Sequence, residues 1–64
     1  MYVNGQQTVI KNGVTLYEFL IEEGYDTQSV AVEKNGNIVP KKTFETEALQ
    51  DDDKLEIVRF VGGG

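Results

Sequence analysis

Only one stretch of this chain is marked for a helix, and that limits the folds open to it. Thr15 is a good N-cap, and Glu18 three residues later completes a Thr-x-x-Glu capping box. Leu16, Phe19 and Leu20 recur at i, i+3 and i+4, which gives a single apolar face. Gly24 suits the C′ position and Tyr25 the C″ contact, so the spacing predicts a helix over residues 15–23. Glu22 and Glu23 sit in the last turn, where the helix dipole favours cations; the mismatch costs a few tenths of a kcal/mol. A helix with one apolar stripe must bury it against another element, and the rest of the chain offers only strands.

Those strands are short and separated by turn signals. Met1 to Asn4 can form the first, with Met1 and Val3 on one face and Tyr2 on the other. Asn4-Gly5 tolerates positive φ at both positions, so a hairpin into Thr8-Val9-Ile10 is expected. Asn12-Gly13 breaks the chain before the helix, and Asp26 to Ser29 is a polar connection after it. Val30-Ala31-Val32-Glu33 reads as the third strand, turning at Asn35-Gly36 into Asn37-Ile38-Val39. Pro40 ends that strand because it has no N–H for a ladder. Lys41 to Gln50 has no clean period and reads as a loop with one helical turn near Thr43 to Glu45. Asp51-Asp52-Asp53 reads as a solvated turn. Three consecutive carboxylates cannot all face one ion, and the alternating calcium-loop spacing is missing, so no metal site is expected. Leu55 to Val61, rich in β-branched and aromatic residues, is the last strand. The order β-β-α-β-β-β predicts an α+β fold: a mixed sheet of about four to five strands with the helix packed on one face. Met1–Val3 and Leu55–Ile57 are expected as central, parallel neighbours.

Composition narrows the function classes. Sixty-four residues make one domain with no room for a deep catalytic cleft. The chain has no Cys and no His, and Ser29 is its only serine, so a thiolate nucleophile, a Cys- or His-ligated metal and a serine triad are all excluded. The expectation is a protein acted on by enzymes, and not itself an enzyme. A net charge of −5 disfavours nucleic acid and suits a partner with a positive surface. Met1 leads into Tyr2-Val3-Asn4-Gly5 without a basic start or an apolar run, and the longest apolar runs are triplets such as Phe19-Leu20-Ile21. No membrane association and a cytoplasmic setting are therefore expected.

The last strand runs directly into Gly62-Gly63-Gly64. Gly carries the largest backbone entropy cost on ordering and has no side chain to pack, so the chain divides into a domain of residues 1–61 and a flexible tail of residues 62–64. Glycine ends are often merely frayed termini; here they follow a hydrophobic strand with no polar spacer, which favours a functional tail. Such an arm reaches roughly 10 Å. Gly62 and Gly63 can thread a narrow partner site, and the Gly64 carboxylate is the expected reacting group. Activation as an acyl-adenylate would open it to a sulfur or nitrogen nucleophile. Alternation places Leu55 and Ile57 inward, with Glu56, Val58 and Phe60 outward. Val58 and Phe60, joined by Ala31, form the candidate partner-binding patch.

Three stretches carry a family resemblance: Val30 to Pro40, Asp53-Lys54-Leu55-Glu56-Ile57-Val58, and the ending Phe60-Val61-Gly62-Gly63-Gly64. Together with the Asn4-Gly5 turn, the Thr15-Leu16 helix start and the chain length, they resemble the sulfur carriers of thiamin biosynthesis, the ThiS family. Terminal Gly-Gly is shared with ubiquitin and the molybdopterin-synthase small subunit, but the Phe-Val-Gly-Gly-Gly ending on so short a chain favours the thiamin branch. Asp52 departs from the family, which commonly has Gly there. The resemblance implies a ubiquitin-like β-grasp fold. It implies adenylation of Gly64 by a ThiF-like activating enzyme that uses ATP, with no cofactor bound by the carrier itself. It further implies conversion to a thiocarboxylate with sulfur from a donor such as a cysteine desulfurase, and delivery to a ThiG-like thiazole synthase. Alternatives are delivery of sulfur to molybdopterin, a ubiquitin-like modifier, or a non-covalent acidic adaptor with a passive tail.

Overall fold

The computed structural model describes residues 1–60. Strands β1 (Tyr2–Val3), β2 (Gln6–Gln7), β3 (Val30–Lys34), β4 (Asn37–Ile38) and β5 (Lys54–Arg59) form one sheet in the order β2-β1-β5-β3-β4. β1 and β5 are parallel and the other neighbours antiparallel, so the sheet is mixed, with β5 at its centre as expected. Helix α1 (Leu16–Glu22) is the crossover that makes the parallel pair possible. Its buried side chains, Leu16, Phe19 and Leu20, meet Val30 and Val32 of β3 and Leu55 and Ile57 of β5 in one core. This is the β-grasp arrangement of a five-stranded mixed sheet and one helix. Among the described residues, no helix is long and apolar enough to cross a membrane.

The caps of α1 follow the local sequence. The Glu18 N–H donates to Thr15 Oγ1 at 3.2 Å, and the Thr15 N–H donates to Glu18 Oε1 at 3.0 Å. Gly24 takes φ +82°, the Tyr25 N–H reaches the Leu20 carbonyl at 2.9 Å, and the Gly24 N–H reaches Ile21 at 3.1 Å, which is a Schellman end. Two further N-terminal donors are satisfied from a distance. The Leu16 N–H bonds the Glu47 carbonyl at 2.8 Å and the Tyr17 N–H bonds that of Phe44 at 2.9 Å. Thr15→Ala should lower stability by about 1 kcal/mol, read from the urea midpoint, while Thr15→Ser should stay close to the parent.

Three expectations shift. The second strand is Gln6–Gln7 in place of Thr8–Ile10. The two-residue Asn4-Gly5 turn sets Val3 opposite Gln6 and Tyr2 opposite Gln7, and the Thr8 N–H then meets the carbonyl of Met1, the first residue of the chain. Val9 and Ile10 lie outside the β1–β2 ladder, and Val9 is 96% exposed. The helical turn is a 3₁₀ turn at Lys41–Thr43, two residues early, because it starts at once from Pro40, whose carbonyl accepts from the Thr43 N–H at 2.9 Å. The loop after it is anchored in the core by Phe44 and Leu49.

The third correction concerns Asp53. Asp51 and Asp52 are exposed, but Asp53 is only 5% exposed and does not belong to a solvated turn. Its carboxylate accepts from Asn35 Nδ2 and from the Gln50 N–H, each at 2.8 Å, and lies 3.6 Å from Lys34 Nζ. Lys34 also bonds Glu47 at 2.7 Å and the Ala48 carbonyl at 3.2 Å. This cluster ties the end of β3 to the long loop and to the start of β5.

A candidate docking face on the open side of the sheet

α1 covers one face of the sheet. On the other face, the strand alternation and the register place side chains in rows. Val58 of β5 lies opposite Ala31 of β3, as the sequence predicts. Val58 is 60% exposed and Ala31 is half-buried. Phe60 follows two residues on and is 57% exposed; its N–H donates to the Ser29 carbonyl at 2.9 Å, so the backbone is still held to the lead-in of β3 there. Lys41 Nζ stands 5.2 Å from the Phe60 ring centroid, and the Arg59 guanidinium stands 4.6 Å from that of Tyr25. Two cations thus stand against aromatic rings beside the end of β5. Gly62, Gly63 and Gly64 lie outside the described residues.

Five further side chains share the open face and were not singled out as binding candidates. The next row holds Glu56 opposite Glu33, with Ile38 of β4 on the other side of Glu33. The row beyond pairs Tyr2 with Lys54. Glu33, Glu56, Tyr2 and Ile38 are all exposed, Ile38 at 67%. Alternation within β3 and β5 was enough to turn the two glutamates outward. Their being directly opposite depends on the β3–β5 register, which no local pattern contains.

The position of β5 between β1 and β3 is held by two asparagines in the hairpin turns. Asn4 and Asn35 take φ +50° and +53°, each followed by a Gly at positive φ, which is type I′ geometry. Asn4 Oδ1 accepts from the Ile57 N–H at 2.8 Å and Asn4 Nδ2 donates to the Ile57 carbonyl at 3.3 Å, so the side-chain amide continues the ladder where β1 has ended. On the other side of β5, Asn35 Oδ1 accepts from the Lys54 N–H at 2.9 Å and the Asn35 N–H donates to the Lys54 carbonyl at 2.8 Å. β5, the strand that leads to the glycines, is therefore clasped from both sides.

Comparison with known proteins places this architecture in context. The model of the ThiS family matches residues 1–64. The sulfur carrier protein ThiS of Bacillus subtilis is 34% identical over 65 residues, covering 100% of this chain and 98% of that protein. A thiazole synthase of Paramagnetospirillum magneticum is 44% identical over 64 residues; the alignment covers all of this chain and 20% of that protein. A thiazole synthase of Magnetococcus marinus is 38% identical over the same span, again with 20% of its length covered. The chain thus spans about a fifth of these two relatives. Among solved structures, the crystal structure of the thiamine biosynthesis protein ThiS from Geobacter metallireducens superposes with a TM-score of 0.81 at 27% identity, covering 98% of this chain and 96% of that one.

Proposed function

The chain belongs to the ThiS family, the sulfur carriers of thiamin biosynthesis, and from that premise we propose that its reacting group is the carboxylate of Gly64. A Gly64 oxygen attacks the α-phosphorus of ATP on a ThiF-type adenylating enzyme and pyrophosphate leaves. The terminal sulfur of a persulfide on a donor such as a cysteine desulfurase then attacks the acyl carbon; the C–S bond forms, the C–O bond to phosphate breaks and AMP leaves, and a second thiol attacks the donor-side sulfur, so that the S–S bond breaks, a disulfide forms and the thiocarboxylate is released. The thiocarboxylate so formed gives its sulfur to a thiazole synthase. Gly62 and Gly63 form the arm that enters the partner's site, since only Gly allows so close a backbone approach. Ala31, Val58 and Phe60 are the apolar part of the surface that the partner grips. The carrier contributes presentation, and the bond-making groups belong to its partners.

The observation that carries this reading is the family match across all 64 residues, the three terminal glycines included. The two relatives named thiazole synthase, each with a segment similar to the whole of this chain, support that enzyme as the acceptor. The test is intact mass after incubation with ATP, the adenylating enzyme and a sulfur source. The parent chain should exchange one oxygen for sulfur, and a form lacking Gly64 should not change. Equal behaviour of the two forms would remove the proposal and favour a passive tail.

A further inference from the structure

Three asparagines in this chain precede a glycine: Asn4-Gly5, Asn12-Gly13 and Asn35-Gly36. Such pairs are chemically labile, because glycine has no side chain to hinder its own nitrogen. That nitrogen can lose its proton to hydroxide and attack the asparagine Cγ. A C–N bond forms, the side-chain nitrogen takes up a proton and leaves as ammonia, and a cyclic imide remains. Water then opens the ring at either carbonyl, giving aspartate or isoaspartate, whose main chain runs through the former side chain. Nothing is oxidised, and the chain exchanges a neutral amide for a carboxylate. The attack requires the amide to turn its carbon toward the next residue's nitrogen, so hydrogen bonds that fix the amide elsewhere suppress it.

The fold treats the three pairs differently. The Asn4 amide is held at both of its atoms, accepting from the Ile57 N–H at 2.8 Å and donating to the Ile57 carbonyl at 3.3 Å. The Asn35 amide is held likewise, accepting from the Lys54 N–H at 2.9 Å and donating to Asp53 Oδ1 at 2.8 Å. Either side chain must release β5 before its carbon can be reached. Asn12 stands in the turn ahead of α1, where the Val14 N–H bonds the Lys11 carbonyl at 3.2 Å and Gly13 takes φ +84°, the type II pattern. It is exposed, and its amide has no hydrogen-bond partner among the described residues. Glu18 and Glu22 of α1 border the shallow groove in which it sits. We propose that Asn12 is the site at which the folded chain deamidates, and that the clasps on β5 shield Asn4 and Asn35 from the same reaction. The new carboxylate then appears beside α1, and the strand that leads to the glycines keeps both of its clasps.

The test holds the full chain in mildly alkaline buffer, folded in one arm and unfolded in guanidinium chloride in the other. Peptide mapping by mass spectrometry follows each asparagine separately. Unfolded, the three sites should convert at similar rates, since each is followed by glycine. Folded, Asn12 should convert within about threefold of its unfolded rate, whereas Asn4 and Asn35 should be slowed about tenfold or more, because each must wait for a local opening. Ion exchange of the folded chain should show a more acidic species growing with time. Asn12→Gln should suppress that species, because the longer side chain closes its ring far more slowly. If Asn4 or Asn35 converted as fast as Asn12 in the folded chain, if folding slowed Asn12 as much as the other two, or if the acidic species grew unchanged in Asn12→Gln, the assignment would be overturned.

Discussion

Leu20→Ala should leave a large fraction of the chain unfolded at 25 °C. Leu20 is fully buried and lies on the single face by which α1 meets the sheet. Removing a buried leucine costs about 2–5 kcal/mol, the lost transfer energy plus the cavity left behind. A domain of 64 residues has about 3–10 kcal/mol in total. The helix has no independent means of persisting, because seven residues fall short of the roughly 12–15 needed for even marginal helicity in water. Its capping box and Schellman end fix its limits, and the contacts of Leu16, Phe19 and Leu20 fix its existence. With an m-value near 1 kcal/mol/M for so small a chain, the urea midpoint should fall by about 2 M or more. The exposed neighbour Ile21 provides the contrast: Ile21→Ala should move the midpoint by no more than about 0.5 M. If Leu20→Ala shifted it no further than Ile21→Ala, the helix would not be the element that closes the core.

The parts of this fold that could be read in the sequence are those decided within a few residues. Thr15 and Glu18 lie three apart, and Gly24 follows the last apolar contact, so the helix appears at its predicted place with one residue at each end acting as a cap. Val58 and Ala31 were placed outward by alternation alone, and the register makes them neighbours. Central, parallel β1 and β5 followed from the helix as a crossover. What was not legible depends on partners far away in sequence. Asn4 reads as a turn former, but its amide bonds a residue 53 positions on. Thr8 to Ile10 has the composition of a strand, but the turn at Asn4-Gly5 sets a register in which the ladder with β1 covers Gln6 and Gln7. Asp53 looks like its neighbours Asp51 and Asp52, and only the approach of Lys34 and Asn35 separates it from them. The same holds for the Glu33–Glu56 pair, whose members are ordinary exposed glutamates until the register sets them face to face.

Asp53→Asn should be the costliest polar substitution in the described part of the chain, despite its near-identical shape. Asp53 is surrounded by donors: Asn35 Nδ2, the Gln50 N–H and Lys34 Nζ. An ionised carboxylate accepts from all three, whereas an amide replaces one acceptor with an NH₂ that faces another donor in either orientation. The substitution therefore leaves a buried donor unpaired and withdraws one of the two carboxylates from Lys34, for about 2–4 kcal/mol. The sign of the pH dependence follows from the same contacts. Burial pushes the Asp53 carboxyl up, and the Asn35 amide, the Gln50 N–H and the Lys34 ammonium together outweigh it, so the group titrates below its ordinary value. A folded-state value below the unfolded one, about 3.9, contributes stability that is fully present above pH of about 4–5 and is lost as the pH falls through the folded value. Lys34 is shifted the other way: its bond to Glu47, with the charge of Asp53, outweighs desolvation and raises it above 10.5. Its contribution is complete below about pH 10 and is lost as the pH rises through the folded value. The parent should thus hold its urea midpoint level across neutral pH and lose stability at both extremes. Asp53→Asn should be lower throughout and show a shallower acid limb, since the group that takes up the proton there is gone. An acid limb of unchanged steepness in Asp53→Asn would mean that other carboxylates govern acid unfolding and that the clasp at the start of β5 is not the charged contact that holds the long loop to the sheet.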